Sequence, residues 1–241
     1  MTRPWKTLDS VQTDQGRLDL RRRGETDFLI TIGGRVLMNA SASLSEIALA
    51  RLACEPLAGR RRSRVMVGGL GMGITLKAAL AHLGPDAEVV VVELNPVMVD
   101  WCRGPLAELN ARALDDPRVT VVVDDVARQI RLATQKNERR YDAILLDLYE
   151  GPGGAHPDLT EPLYGDAALE ICRSALSPRG ILAVWGEDPD KAFERRLKAA
   201  RFVVDCQRPG RGGRHVVYIA RKAAGPPKNA AGRRGSRPRG R

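Results

Sequence analysis

The sequence predicts an α/β protein built on a mostly parallel sheet, on three observations. Five short apolar runs, at about 65–69, 88–93, 119–123, 142–147 and 180–185, alternate with helix-length stretches near 74–83, 96–113, 126–134 and 163–176. The first run enters a glycine-rich turn, Val65-Met-Val-Gly-Gly-Leu-Gly-Met-Gly73. The second run ends on an acid, Glu93, twenty residues after Gly73.

Ahead of this alternation the texture differs. The stretch from Gly16 to Arg22 sets Leu18 and Leu20 against charged neighbours, and Asp27 to Met38 reads as two β-rich runs joined at Gly33-Gly34. These form a small N-terminal β-unit, assigned to residues 1–42. Ser43-x-x-Glu46 offers a capping box to a helix whose apolar face is Ile47, Ala48, Leu49, Leu52 and Ala53. The run Arg60-Arg-Arg-Ser-Arg64 reads as a solvated connector.

In the glycine turn, Gly69, Gly71 and Gly73 let backbone N–H groups approach a ligand before a helix starts at Ile74. The Glu93 carboxylate is then placed to accept from two ribose hydroxyls. Turn, helix, strand and acid in this order point to a bound nucleoside. The last two strands, at about 201–206 and 214–220, are joined by Gln207-Arg-Pro-Gly-Arg-Gly-Gly213, too few residues for a parallel crossover. They are expected to form an antiparallel hairpin, completing a seven-stranded Rossmann-type sheet over residues 43–221. That ending is the mark of a class I methyltransferase-like fold rather than of an ordinary dinucleotide-binding domain.

Composition limits the function classes. The 241 residues suit one large α/β domain with a small appendage, and 43% hydrophobic content suffices for a core. No apolar run approaches the roughly 20 residues of a membrane span, and Met1-Thr-Arg-Pro-Trp-Lys lacks a signal-peptide core, so a cytoplasmic location is expected. Cys54, Cys102, Cys172 and Cys206 are scattered, which suggests reduced thiols rather than a disulfide framework or a zinc site. Of the formal charge of +10, seven units come from basic residues between Lys222 and Arg241, leaving +3 for the rest. Residues 222–241, rich in Gly, Pro, Ala and Arg, read as a disordered basic tail. Such a tail can bind nucleic acid weakly through phosphate contacts, but it has no aromatic residue for base stacking.

In an open α/β sheet, ligands sit outside the carboxyl ends of the strands. Four such ends carry acids: Glu93, Asp124-Asp125, Asp147 and Glu187. Asp125 is placed to accept from an adenine amino group. Asp124 or Asp125 can instead cap the helix that starts at Val126, an even alternative for Asp124, whereas the ligand role is favoured for Asp125. Asp147 ends the strand of Tyr141-Asp-Ala-Ile-Leu-Leu-Asp-Leu-Tyr-Glu-Gly-Pro152, where a carboxylate can take a proton from an attacking amine or hold it by charge. Tyr149 and Glu150 are candidates to contact the acceptor, with simple solvation the other reading of Glu150. The glycine-rich segment 151–162 has the length of a water-excluding lid. His82, His156 and His215 share no spacing that suggests a metal site, and no α/β-hydrolase or P-loop signature occurs.

These motifs resemble the spermidine synthase-like branch of the class I S-adenosylmethionine-dependent transferases, from about Leu8 to Arg221. Glu93-Leu-Asn-Pro-Val-Met-Val is similar to that family's Glu-Ile-Asp-Pro-x-Val, which implies ribose binding by Glu93. Asp116-Pro-Arg-Val-Thr-Val-Val-Val-Asp-Asp125 resembles its Asp-Pro-Arg-Val element, which implies an adenine contact by Asp125. Asp147-Leu-Tyr-Glu150 stands in place of Asp-Ser-Ser-Asp, implying a catalytic Asp147 and an amine-holding Glu150. Leu176-Ser-Pro-Arg-Gly-Ile-Leu resembles a Leu-Lys-Pro-Gly-Gly-Ile-Leu turn common to many methyltransferases. The resemblance also implies a homodimer through the N-terminal region.

Two departures bear on the reaction. The family's loop reads Gly-Gly-Gly-Asp-Gly-Gly, and its Asp pairs with the amine of decarboxylated S-adenosylmethionine; here Gly71 takes that place. The family's Tyr-His-Glu on the first helix is Leu44-Ser-Glu46. The expectation drawn from these departures is a transferase that binds S-adenosylmethionine or its decarboxylated form and moves a methyl group to a small nucleophilic acceptor. The alternatives are aminopropyl transfer to an amine and a non-catalytic nucleoside-binding module.

Overall fold

The computed structural model describes residues 3–135, 140–149, 151–153, 163–210 and 213–223. Four strands, β1 (Lys6–Thr13), β2 (Gly16–Arg23), β3 (Asp27–Ile32) and β4 (Arg35–Asn39), form an antiparallel meander in sequence order. The β3–β4 turn sits at Gly33-Gly34, both at positive φ, as a two-residue hairpin loop requires. β1 has no counterpart in the sequence reading. Its residues are exposed or half-buried throughout, so no apolar alternation marks it.

The larger sheet has the order β10-β11-β9-β8-β5-β6-β7. Its strands are β5 (Arg64–Gly68), β6 (Glu88–Glu93), β7 (Val119–Val123), β8 (Tyr141–Leu146), β9 (Leu176–Gly186), β10 (Phe202–Gln207) and β11 (Val216–Lys222). β5 to β9 are parallel, and β11 lies antiparallel between β9 and β10. The α/β class, the seven strands and the terminal hairpin therefore stand as expected. Lys222, assigned to the tail by composition, is the last residue of β11; residues 224–241 lie outside the described part.

Among the described residues six helices cover the sheet: α1 (Leu44–Cys54), α2 (Ile74–His82), α3 (Pro96–Arg103), α4 (Val126–Gln135), α5 (Asp166–Ala175) and α6 (Lys191–Ala199). Alternate strand residues point to opposite faces, and each face has its own core. Val65, Val67, Ala143 and Leu145 pack with Leu49, Leu76 and Val99 on one side. Met66, Ile144 and Leu146 pack with Ile130, Leu169 and Leu197 on the other. The N-terminal sheet joins the first core through Leu18, Leu20, Phe28 and Ile30, and the Trp101 Nε1–H donates to Asp9 at 2.7 Å.

Two local expectations are corrected. The helix expected over 96–113 stops at Arg103, because Gly104 leaves the helical region and Pro105 has no N–H to continue the ladder. Ser43 makes no side-chain cap to α1. Glu46, the other half of the expected capping box, is buried and its carboxylate instead accepts the Ser45 hydroxyl at 2.7 Å.

Candidate active site

The strand order reverses where β5 lies between β6 and β8, and the carboxyl ends of these strands are where an open α/β sheet holds its ligand. Gly69, Gly71 and Gly73 have φ of +87°, +51° and +79°. At Gly69 the need for glycine is steric, since an added Cβ would stand 2.2 Å from the Asp147 carbonyl oxygen. The turn is tied to both neighbouring strands: the Gly69 N–H donates to Val92 O and the Asp147 N–H to Gly68 O, each at 2.9 Å. Glu93 is 8% exposed. Its Oε2 accepts the Leu70 N–H and its Oε1 the Asn95 N–H, both at 2.8 Å. Each oxygen retains a lone pair for a further donor, so the cradle and its acid fit the two hydroxyls of a ribose.

Asp125 lies at the end of β7 and start of α4, with its side chain 51% exposed. Its Oδ1 accepts the Arg128 N–H at 2.6 Å, so one oxygen of this carboxylate caps the helix. Asp124 accepts the Gln129 amide at 2.6 Å and an ion pair from Arg128. The Gln129 bond first, then the Asp125 N–H, holds the Asp124 carboxyl below its ordinary range. Glu187 is paired with Arg214.

Asp147 has different surroundings. Its Oδ2 accepts the Thr75 hydroxyl, from the first turn of α2, at 2.5 Å. Burial, and then the nearby charge of Glu46, pushes its carboxyl up from 3.8 to about 7, and the Thr75 bond opposes the rise. Tyr164 is close enough for the Asp147 charge to add to the upward shift that burial gives its phenol. The Tyr164 hydroxyl is itself buried without a hydrogen-bond partner among the described residues.

On the far side of Glu46, the Ser45 Oγ is 3.0 Å from His215 Nδ1, and the His215 ring meets Trp185 edge-on with centroids 5.0 Å apart. Ser45 has one proton, which the Glu46 carboxylate takes, so the imidazole Nδ1–H is the donor to Ser45. Imidazole, hydroxyl and carboxylate thus form a chain that ends beside Asp147.

Tyr149 stands two residues after Asp147 and is 45% exposed. Glu150 lies outside the described residues, as do residues 154–162 with His156. Gly151 begins a short 3-10 turn, Gly151–Gly153, packed against the Trp185 carbonyl. Among the described residues no group of three His, Cys, Asp or Glu side chains is placed to hold a metal ion. No helix there is long and apolar enough to cross a membrane. Cys54, Cys102 and Cys172 are buried free thiols, and Cys206 is an exposed one.

Several groups around the crevice were not read as site residues in the sequence: Thr75, Ser45, Tyr164, His215 and Met38, whose Sδ accepts the Met72 N–H of the glycine turn at 3.2 Å. Two other hollows lie at the opposite, amino edge of the sheet. One is lined by Arg60, Arg62, Arg140 and Asp142, the other by Arg64, Glu88, Arg118 and Tyr141. Neither contains the glycine turn or an acid at a strand's carboxyl end.

Residues 57–198 match the family model described as Spermine/spermidine synthase domain. The chain belongs to that family. A polyamine aminopropyltransferase of Shewanella oneidensis is 31% identical over 155 residues, which cover 60% of this chain and 26% of the relative. The chain thus spans about a quarter of that relative's length. Spermidine synthase from Thermotoga maritima superposes with a TM-score of 0.71 at 20% identity, covering 92% of this chain and 75% of that one. A spermidine synthase in complex with the transition-state analogue AdoDATO superposes with a TM-score of 0.70 at 20% identity, with coverage of 92% and 74%. Spermidine synthase-like membership and the methyltransferase-type sheet thus rest on sequence and fold alike.

Proposed function

We propose that the chain transfers an aminopropyl group from decarboxylated S-adenosylmethionine to an amine acceptor. The observation that carries this reading is Asp147: a carboxyl raised to about 7, beside a second carboxylate and next to the nucleoside cradle. Two carboxylates in a desolvated crevice repel one another, and a cationic or proton-releasing amine between them relieves that cost. The family match and the relatives named as polyamine aminopropyltransferases favour this reading over the methyl transfer expected from Gly71. That expectation gives way to the aminopropyl alternative.

The donor brings a carbon activated by its bond to a sulfonium. The acceptor nitrogen's lone pair forms the new C–N bond as the C–S bond breaks, and the electron pair leaves on sulfur as the thioether methylthioadenosine. Glu93 and the turn hold the nucleoside. Asp147 orients the acceptor and takes the proton that the nitrogen loses, which requires Asp147 to be ionised. Thr75 fixes the carboxylate rotamer.

The test is to incubate the protein with the decarboxylated donor and a panel of diamines and to follow methylthioadenosine and the elongated amine by mass spectrometry. Both products are expected together. A methylated acceptor formed from S-adenosylmethionine, with no methylthioadenosine from the decarboxylated donor, would restore methyl transfer. Nucleoside binding with no product from either donor would support the non-catalytic module.

A further inference from the structure

The glycine turn departs from its family at position 71, and the structure shows what fills the space. Met38, at the end of β4, reaches from the N-terminal sheet onto the turn. A Cβ added at Gly71 would lie 2.6 Å from the Met38 Cε and 2.9 Å from its Sδ. The same sulfur accepts the Met72 N–H, a backbone donor otherwise free for a ligand. The Cys102 thiol donates to the Gly71 carbonyl at 3.3 Å, and burial, more than the charge of Glu93, holds that thiol protonated by pushing it up to about 12. Gly71 thus meets two sulfur-bearing side chains. The backbone alone does not exclude an acid here, because φ of +51° is in the left-handed region that Asp and Asn tolerate best among residues with a side chain.

We infer that Met38 is a specificity-determining residue for the donor, its thioether occupying the side-chain space of position 71. The inference rests on the reading of the crevice as a sulfonium-nucleoside site. A donor held by Glu93 and this turn would present the substituent on its sulfur to the Met38 thioether, a polarisable, uncharged surface. A carboxylate at that point would attract the donor's ammonium and repel a donor carboxylate; a thioether does neither. The expected ligand class is therefore any adenosyl sulfonium, with little discrimination at this contact between the carboxylated and decarboxylated forms.

Calorimetry with S-adenosylmethionine, its decarboxylated form and methylthioadenosine tests this. The wild-type protein is expected to bind the two sulfonium donors within about tenfold of one another, a factor that one close, desolvated charge contact would exceed. Combining Met38→Ala with Gly71→Asp should move the ratio at least about tenfold toward the decarboxylated donor. Met38→Lys, of similar length and opposite charge to the acid, should move it toward S-adenosylmethionine. Methylthioadenosine, which lacks the charged tail, should bind all three proteins alike. A wild-type preference beyond about tenfold for either donor overturns the inference, as does a ratio unmoved by Met38→Lys, so the result does not depend on the double variant folding. Failure of wild-type protein to bind methylthioadenosine refutes the nucleoside site itself, a distinct outcome.

Discussion

β8 carries an acid at each end, and the two could hardly be treated more differently. Asp142, at the amino end, receives the Arg60 Nη1 at 2.6 Å, the Arg64 N–H at 3.0 Å and the Ser177 hydroxyl at 2.8 Å. These donors join the connector before β5, β8 and the start of β9. Asp147, five residues on, receives among the described residues a single hydroxyl, from Thr75, and faces Glu46. A carboxylate whose lone pairs are filled by the protein is a structural joint. One left short of donors beside a like charge retains free energy that a ligand can release.

The largest expected effect separates the two ends. Asp147→Asn should lower turnover by about 10²–10⁴-fold, the range for removing a general base, whereas Asp142→Asn should leave turnover unchanged. Steady-state rates with saturating donor and acceptor measure both. Equal losses for the two variants would refute the division. Stability should divide the opposite way. Asp142→Ala leaves the Arg64 N–H and the Ser177 hydroxyl without this partner, at a cost of about 1–3 kcal/mol, read from denaturant melts.

Asp147 should show a pH dependence instead. Its folded-state pKa lies above its unfolded value, so the folded protein holds the proton more tightly. Its contribution to stability is present below pH about 4 and is lost as pH rises to about 7. Asp147→Asn should therefore match wild-type stability near pH 4 and exceed it near pH 8. A variant less stable than wild type at pH 8 would show that the buried carboxylate is partnered better than its geometry indicates.

The same contrast explains what was legible in the sequence. Strand ends and their acids could be read because β periodicity is local, and each acid follows its own apolar run. The partners that give each acid its character come from remote segments. Thr75 is 72 residues from Asp147, Met38 is 34 from Met72, and Ser45 is 170 from His215. Ser43-x-x-Glu46 matched a local capping pattern, yet the crevice drew Glu46 inward, a tertiary override of a four-residue signal. Gly71 was visible as a departure; the side chain that fills its space belongs to a different sheet.

The smallest effects test the origin of the Asp147 shift, and they have opposite signs. If turnover requires ionised Asp147, the rate should rise with pH through an inflection near 7. Glu46→Gln removes the like charge and should move that inflection to lower pH. Desolvation, the larger cause, remains, so the inflection should stay above the ordinary carboxylate range. Thr75→Val keeps the side-chain shape but removes the hydroxyl that stabilises the charged form, so the inflection should move to higher pH. pH–rate profiles of the two variants measure both displacements. Movement in the same direction would mean that the inflection belongs to a group other than Asp147.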